Sequence, residues 1–312
     1  MIATSNNRFF PVTNEIEVIL NARSGSQRAH EMQETIERVL RESGRSFGLS
    51  IAQGESISAL AEEKAATDCS LLVAGGGDGT ICAVAEAALK SGKTLGVLPL
   101  GTFNYFARNL AIPLDLEKAV GVLLNGQAVR ASVLELDGRL VLNTASIGIH
   151  PAALLRRRKL YRRWGRSRLN TYLSVLLTVF RPPPRLRVRL AGDAGGVTYE
   201  TALVMICSNA FEMEGFGLAG KECLEAGQFA LYVAPKAHRA KMFRLGLRVV
   251  VRKLRPGIDY EVICASDVTI ESLRQRRLRA AIDGELERVQ SPIRIRVAPK
   301  ELRVLAPATD GS

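Results

Sequence analysis

The residues best equipped for chemistry in this sequence are two glycine-rich loops and a late pair of carboxylates. Gly75-Gly76-Gly77-Asp78-Gly79-Thr80 falls between the apolar run Leu71 to Ala74 and a segment in which Ile81, Val84, Ala85, Ala88 and Leu89 recur at helical spacing. At a strand-to-helix turn, residues without Cβ let an anion approach the backbone N–H groups, and the positive end of the helix dipole adds attraction. That chemistry is phosphate binding, carried by Gly76, Gly77, Asp78, Gly79 and Thr80. The plainer alternative is a tight turn whose glycines adopt positive φ. A P-loop is excluded because no G-x-x-x-x-G-K-[ST] occurs, and the dinucleotide fingerprint is incomplete and lacks the acid for a ribose. A second loop, Pro99-Leu100-Gly101-Thr102-Phe103-Asn104, follows the apolar run Leu95 to Leu98. Gly101 permits close approach, while Thr102 and Asn104 offer a hydroxyl and an amide. Two such loops on neighbouring strand ends would share the carboxyl edge of an open sheet, where ligands bind.

Asp283 and Glu285 lie in a glycine-containing turn after the strand candidate Arg279 to Ile282. A carboxylate held there could take a proton from an attacking hydroxyl. Local sequence alone favours an ordinary Asp-Gly turn. Asp78 offers oxygen to a hard cation such as Mg²⁺, or caps a helix N-terminus.

The elements that must position these groups read as two kinds of structure. From Asn14 to Arg130, strands and helices alternate: Ile16 to Leu20, a helical stripe through Met32, Ile36, Val39 and Leu40, a helix over Glu55 to Thr67, then the two strand-and-loop units above. This predicts an α/β domain with a mostly parallel sheet covered on both faces. From Ala131 to about residue 290 the texture turns strand-rich. It opens with Val133 to Leu136, the Asp137-Gly138 hairpin signal and Leu140 to Leu142, and continues through Thr201 to Cys207, Phe229 to Val233, Glu261 to Ala265 and Val268 to Glu271. One helical stripe, Leu169 to Phe180, stops at Pro182-Pro183-Pro184.

The net charge of +12 is concentrated. Twelve cations and no acid lie between Leu154 and Leu190, among them Arg156, Arg157, Arg158, Lys159, Arg162 and Arg163 beside Trp164. Lys236 to Arg255 carries a second acid-free basic run. Such surfaces seek polyanions, and Trp164 suits a headgroup-level anchor. Nucleic acid is disfavoured as partner because few aromatics interleave with the arginines. The longest apolar stretch, Leu173 to Phe180, is too short to span a bilayer. Five scattered cysteines suggest neither a disulfide framework nor a zinc site, which fits a reducing cytoplasm.

Gly-Gly-Asp-Gly-Thr at residues 76–80, Pro-Leu-Gly-Thr-Phe-Asn at 99–104 and Ala-Arg-Asn-Leu at 107–110 together resemble the diacylglycerol-kinase catalytic-domain family, which includes soluble bacterial lipid kinases and sphingosine kinases. Asn21 to Gly25, Asn143 to Gly148 and Asp283-Gly284-Glu285 resemble further family segments. The first loop alone would also admit NAD kinases. The resemblance implies ATP held by the first loop with Asn21, Thr80 and Thr102, with Gln53 near the nucleotide. It also implies Mg²⁺, and Asp283 as general base with Glu285 as its partner or alternative. The implied fold is an α/β nucleotide domain followed by a β-sandwich-like domain, with residues 291–306, including strands at Arg294 to Val297 and Leu302 to Leu305, returning to the first. The implied activity is phosphorylation of a lipid hydroxyl by a cytoplasmic protein held peripherally at the inner face of the membrane. The reading leaves room for a homodimer. Tyr105, Ala226 and His150 stand where family members commonly carry acids.

Overall fold

The computed structural model describes residues 15–21, 26–52, 56–164, 186–235, 245, 248 and 253–308, with only the backbone of 26–29, 157, 159–164 and 235. Gln53, Ala22 to Gly25, the Leu169 to Phe180 stripe and most of the second basic run lie outside the described residues.

The first part of the chain alternates β1 (Ile16–Asn21), α1 (Ser26–Glu42), β2 (Phe47–Ala52), α2 (Ile57–Ala65), β3 (Leu71–Gly76), α3 (Asp78–Ser91), β4 (Thr94–Pro99), α4 (Tyr105–Asn109), α5 (Leu116–Asn125) and β5 (Gln127–Ala131). Its sheet has the order β2-β1-β3-β4-β17-β5, where β17 is Leu302–Ala306. β2 through β17 run parallel, and β5 is an antiparallel edge. All six residues of β3 are buried, as expected of a central strand covered on both faces. Leu72, Val73, Leu95 and Leu98 pack with Ile81 and Val84 of α3 and Leu123 of α5 in one core. Each such burial contributes about 1.5 to 3 kcal/mol. That core fixes where β3 and β4 end, and so where the two glycine loops begin.

The second part contains β6 (Leu134–Leu136), β7 (Arg139–Val141), β8 (Thr144–Gly148), α6 (Ile149–Trp164), β9 (Leu186–Gly192), β10 (Val197–Cys207), α7 (Ala210–Phe216), α8 (Lys221–Glu225), β11 (Phe229–Pro235), β12 (Glu261–Ala265), β13 (Asp267–Ser272), β14 (Arg277–Ile282), β15 (Glu285–Gln290) and β16 (Ile293–Val297). Eleven strands, β6 to β16, form one sheet whose pairings among the described residues are all antiparallel. The fold class is therefore as expected, a parallel-rich α/β part followed by an antiparallel β-rich one.

Several details differ from the sequence reading. Of the two strands expected to return, Leu302–Ala306 lies in the first sheet, whereas Ile293–Val297 stays in the second, between β13 and β6. Its alternating Ile293 and Ile295 point into the second core with Val268 and Leu136, which decides its sheet. β2 was not expected: Phe47–Ala52 is a half-buried edge strand with a glycine and a serine inside it. The expectation of no disulfide is corrected by a bond between Cys223 of α8 and Cys264 of β12. These cysteines are 41 residues apart, and their proximity arises because α8 packs on β11, whose neighbour is β12. Cys69, Cys82 and Cys207 are free thiols. No helix among the described residues is long and apolar enough to cross a membrane.

Candidate functional site

The glycines of the first loop do not take positive φ. β3 continues through Gly75 and Gly76, and Gly77, at φ −87° and ψ −179°, is the extended N-cap of α3. The reason for glycine is space. A Cβ on Gly76 would lie 2.5 Å from Thr80 Oγ1, and one on Gly101 would lie 2.4 Å from Gly77 Cα and 2.6 Å from Asn104 Oδ1. The two loops thus touch backbone to backbone at Gly77 and Gly101. Leu100 N–H donates to Gly76 O across the same junction at 3.0 Å. Gly79 is different: a Cβ there would meet nothing within 4 Å.

The polar side chains of both loops brace this arrangement. Asn21, at the end of β1, donates from Nδ2 to Oγ1 of Thr80 at 2.9 Å, and Thr80 is 5% exposed. Asn104, in the left-handed region at φ 53°, accepts from Gly101 N–H at 2.9 Å and donates to the carbonyls of Pro99 and Gly101 at 3.1 Å each. Its amide therefore fixes the second loop. Thr102 is exposed at the loop's tip. Asp78 caps a helix, but a neighbouring one: its Oδ1 accepts from Phe106 N–H of α4 at 3.3 Å. Burial lifts its pKa, while the N–H groups of Phe106, Asn104 and Tyr105 oppose that rise. Among the described residues no three His, Cys, Asp or Glu side chains cluster closely enough to hold a metal ion.

Asp283 and Gly284 form the β14–β15 turn with φ 46° and 81°. The Asp283 carboxylate points across to the segment entering β8. Oδ1 accepts from Asn143 and Thr144 N–H at 2.8 and 3.0 Å, and Oδ2 accepts from Leu142 N–H at 2.8 Å. Cys82 Sγ of α3 lies 3.7 Å from Oδ2, which brings this carboxylate within a turn of Thr80. Burial raises the Asp283 pKa, the three N–H donors lower it, and the negative charge of Asp78 raises it further. Three of the roughly four acceptor positions of a carboxylate are thus occupied by backbone. Glu285 is exposed and receives Arg158 Nη2 at 2.7 Å; the same Nη2 also donates to Gly284 O at 3.2 Å. Arg158, one of the cations expected at a membrane, therefore also grips the Asp283 turn. Arg156 lies on the same helix, as does the backbone of Arg157, Lys159, Arg162, Arg163 and Trp164.

Sequence reasoning missed a group of residues from α7. Asn209, fully buried, caps α7 by accepting from Glu212 N–H at 2.8 Å and donates to Asn143 Oδ1 at 2.6 Å and Tyr105 O at 3.1 Å. It ties α7 to the start of α4 and to the segment entering β8. Tyr105 stacks on Phe103 at 5.6 Å between ring centroids and tilts against Phe211 at 6.4 Å, and Arg108 sits over the Phe211 ring. His150 Nδ1 lies 2.7 Å from the hydroxyl of the buried Ser146. Ala226 closes α8 and carries no acid toward the cleft.

Residues 15–136 match the diacylglycerol kinase catalytic domain family model. A diacylglycerol kinase of Staphylococcus carnosus (strain TM300) is 28% identical over 230 residues, which cover 70% of this chain and 71% of that protein. A diacylglycerol kinase of Bacillus subtilis (strain 168) is 42% identical over 91 residues, 28% of this chain and 30% of that one. The crystal structure of a diacylglycerol kinase from Bacillus anthracis str. Sterne shares the fold, with a TM-score of 0.67 at 16% identity over 95% of this chain and 97% of that one. Asn21, Asp78 and both glycine loops lie inside the stretch, residues 15–136, that is similar to the diacylglycerol kinase catalytic domain.

Proposed function

We propose that the chain is an ATP- and Mg²⁺-dependent lipid kinase that transfers the γ-phosphoryl group to a lipid hydroxyl at a membrane surface. The observation that carries this reading is the contact of two glycine loops at Gly77 and Gly101, at the mouth of which Gly79 leaves open room at the N-terminus of α3. Phosphoryl transfer asks for positioning and charge neutralisation more than covalent help. In this reading the backbone from Gly76 to Thr80 receives the nucleotide phosphates, Asn21 and Thr80 stiffen the floor, and Thr102, with Gln53, borders the nucleotide. Asn104 acts by holding Gly101 in place. Asp78 suits a cation shared with phosphates, since Mg²⁺ commonly takes one or two carboxylates and completes its shell with phosphate and water. The ion would neutralise charge on the transferred group.

Asp283 is the proposed general base, held rigid by Leu142, Asn143 and Thr144, with the Cys82 thiol of α3 also directed at Oδ2. Glu285 is the alternative, an exposed carboxylate paired with Arg158. The domain reading that accompanies this proposal assigns residues 14–130, with the returning strand Leu302–Ala306, to nucleotide binding and 131–290 to the lipid. The basic residues of α6 would attach the protein peripherally to the inner, anionic face of the membrane.

The deciding experiment incubates the purified chain with ATP, Mg²⁺ and a total lipid extract, and identifies phosphorylated products by mass spectrometry. A phosphorylated lipid supports the proposal. Phosphorylation of NAD alone, or ATP binding without transfer to any lipid, would overturn it.

A further inference from the structure

Glu212 is the one buried side-chain polar group among the described residues with an atom, Oε2, that has no hydrogen-bond partner. It is 6% exposed. A buried polar atom left unpaired costs about 1 to 3 kcal/mol, so its retention points to a partner that arrives from outside. The backbone beneath it is fixed: Glu212 N–H donates to Asn209 Oδ1, and the Asn209 amide in turn donates to Asn143 Oδ1 and Tyr105 O. It lines a cavity of about 320 Å³ with Tyr105, Phe211, Glu214 and Phe216. This cavity opens beside the candidate cleft, since α7 packs on α4, the helix that Asp78 caps.

The surroundings specify the chemistry of the missing partner. Asp283 faces Glu212 from the β14–β15 turn and Asp78 from α3, and Cys207 of β10 also feels its charge. Glu214 lies on the same cavity wall, and Arg108 of α4 is stacked over Phe211. Burial, reinforced by the Asp283 and Asp78 charges, pushes the Glu212 pKa up to about 8, so the carboxyl is protonated at neutral pH. A neutral carboxyl both gives and accepts a hydrogen bond, which matches an alcohol better than an ammonium ion. The flanking rings of Tyr105 and Phe211 suit the carbon skeleton that carries the alcohol.

We propose that this cavity is a headgroup subsite in which Glu212 pairs with a second hydroxyl of the acceptor, one that is not phosphorylated, making Glu212 a specificity-determining residue. The inference rests on the lipid-kinase reading above.

The test uses a matched set: 1-decanoylglycerol, its analogue lacking the C2 hydroxyl (the decanoyl ester of propane-1,3-diol), and the analogue with an amine at C2. Binding is measured by calorimetry on the full chain with a non-hydrolysable ATP analogue, and turnover is measured separately with ATP. The wild type is expected to prefer the diol over the deoxy analogue by about tenfold or more, the worth of one hydrogen bond to a buried group. Glu212→Met should abolish that preference and Glu212→Gln, which can still give and accept, should retain most of it. Equal binding of the diol and deoxy analogue by the wild type, or a preference for the amine, overturns the subsite. So does an undiminished preference in a folded Glu212→Met variant. Should that variant fail to fold, the wild-type comparison alone still decides. Preferential binding of the diol without phosphorylation of any lipid keeps the subsite and removes the kinase reading; phosphorylation of diol and deoxy analogue with equal affinity does the reverse.

Discussion

Replacing Gly101 by alanine adds a single carbon at the junction of the two loops, and the structure sets the cost. The new Cβ would lie 2.4 Å from Gly77 Cα, where ordinary contact begins at 3.4 Å. No side-chain rotation relieves it, because the obstructing atom is backbone. The loops must therefore part by about 1 Å, against the bond from Leu100 N–H to Gly76 O and the clamp made by Asn104. Misplacement of that size in a site that works by positioning costs about 10² in rate. We expect Gly101→Ala to lower kcat/KM for ATP about a hundredfold and to lower Tm. Gly79→Ala is the matched control. It sits in the first turn of α3 with open space around it, and alanine is favoured over glycine in a helix by up to about 1 kcal/mol. It should leave Tm unchanged or higher, yet weaken ATP binding, because the added methyl enters the space assigned to phosphate. Thermal unfolding with and without ATP, together with ATP titration, reads both effects. A Gly101→Ala enzyme with near-normal kcat/KM would refute the idea that loop contact sets the site. Unaltered ATP affinity in Gly79→Ala would refute the cradle.

Asp283→Asn should lower kcat by about 10² or more if Asp283 is the base. It should also lower Tm, because an amide cannot accept from all three of Leu142, Asn143 and Thr144 N–H; a larger kcat loss in Glu285→Gln would exchange the two roles. Arg162→Glu combined with Arg163→Glu, which spares the Arg158 grip on Glu285, should reduce sedimentation with anionic liposomes while preserving turnover of a micelle-dispersed substrate. Because the Debye length falls from about 8 Å at physiological salt to 3 Å at 1 M, binding that persists at 1 M salt would contradict attachment by charge. Glu212 holds its proton more tightly folded than unfolded, so its stabilising contribution is complete below about pH 4.5 and is lost as pH rises to about 8. Glu212→Gln should therefore gain stability relative to wild type across that window, by up to roughly 5 kcal/mol; parallel urea midpoints at pH 5 and 8.5 would contradict the buried, protonated carboxyl.

What could be read from the sequence was local. β3 and α3 announced themselves through an apolar run, a glycine cluster and a helical stripe, and β12 was expected at its observed limits, Glu261–Ala265. Function within the turns was harder to read. Asp137-Gly138 and Asp283-Gly284 share both dipeptide and backbone, with φ of 47° and 85° against 46° and 81°. Yet Asp137 merely accepts Arg294 N–H at the surface, while Asp283 turns inward onto three N–H groups of a distant segment. Only tertiary placement separates them. Glu212 was missed for the same reason: Phe-Glu-Met-Glu-Gly-Phe reads as an exposed helix, and the burial of its first acid comes from packing against α4. The glycines of the first loop were read as room for an anion, with positive φ as the plainer alternative; neither reading named the close approach between two segments that only the sheet brings together.

The place of β17 bears on how this chain can assemble. Leu302–Ala306 lies between β4, to which it is parallel, and β5, to which it is antiparallel, so a strand made after the whole antiparallel part joins two made before it. Until it emerges from the ribosome, β4 has an open edge and β5 no neighbour in that sheet. The glycine loops would then be held by an unfinished sheet while the whole antiparallel part is being made. Closing so distant a pairing is intrinsically slow and leaves an unpaired edge exposed in the meantime. Competence to bind nucleotide should accordingly appear late and all at once during translation, and chains interrupted before residue 302 should be the ones that aggregate.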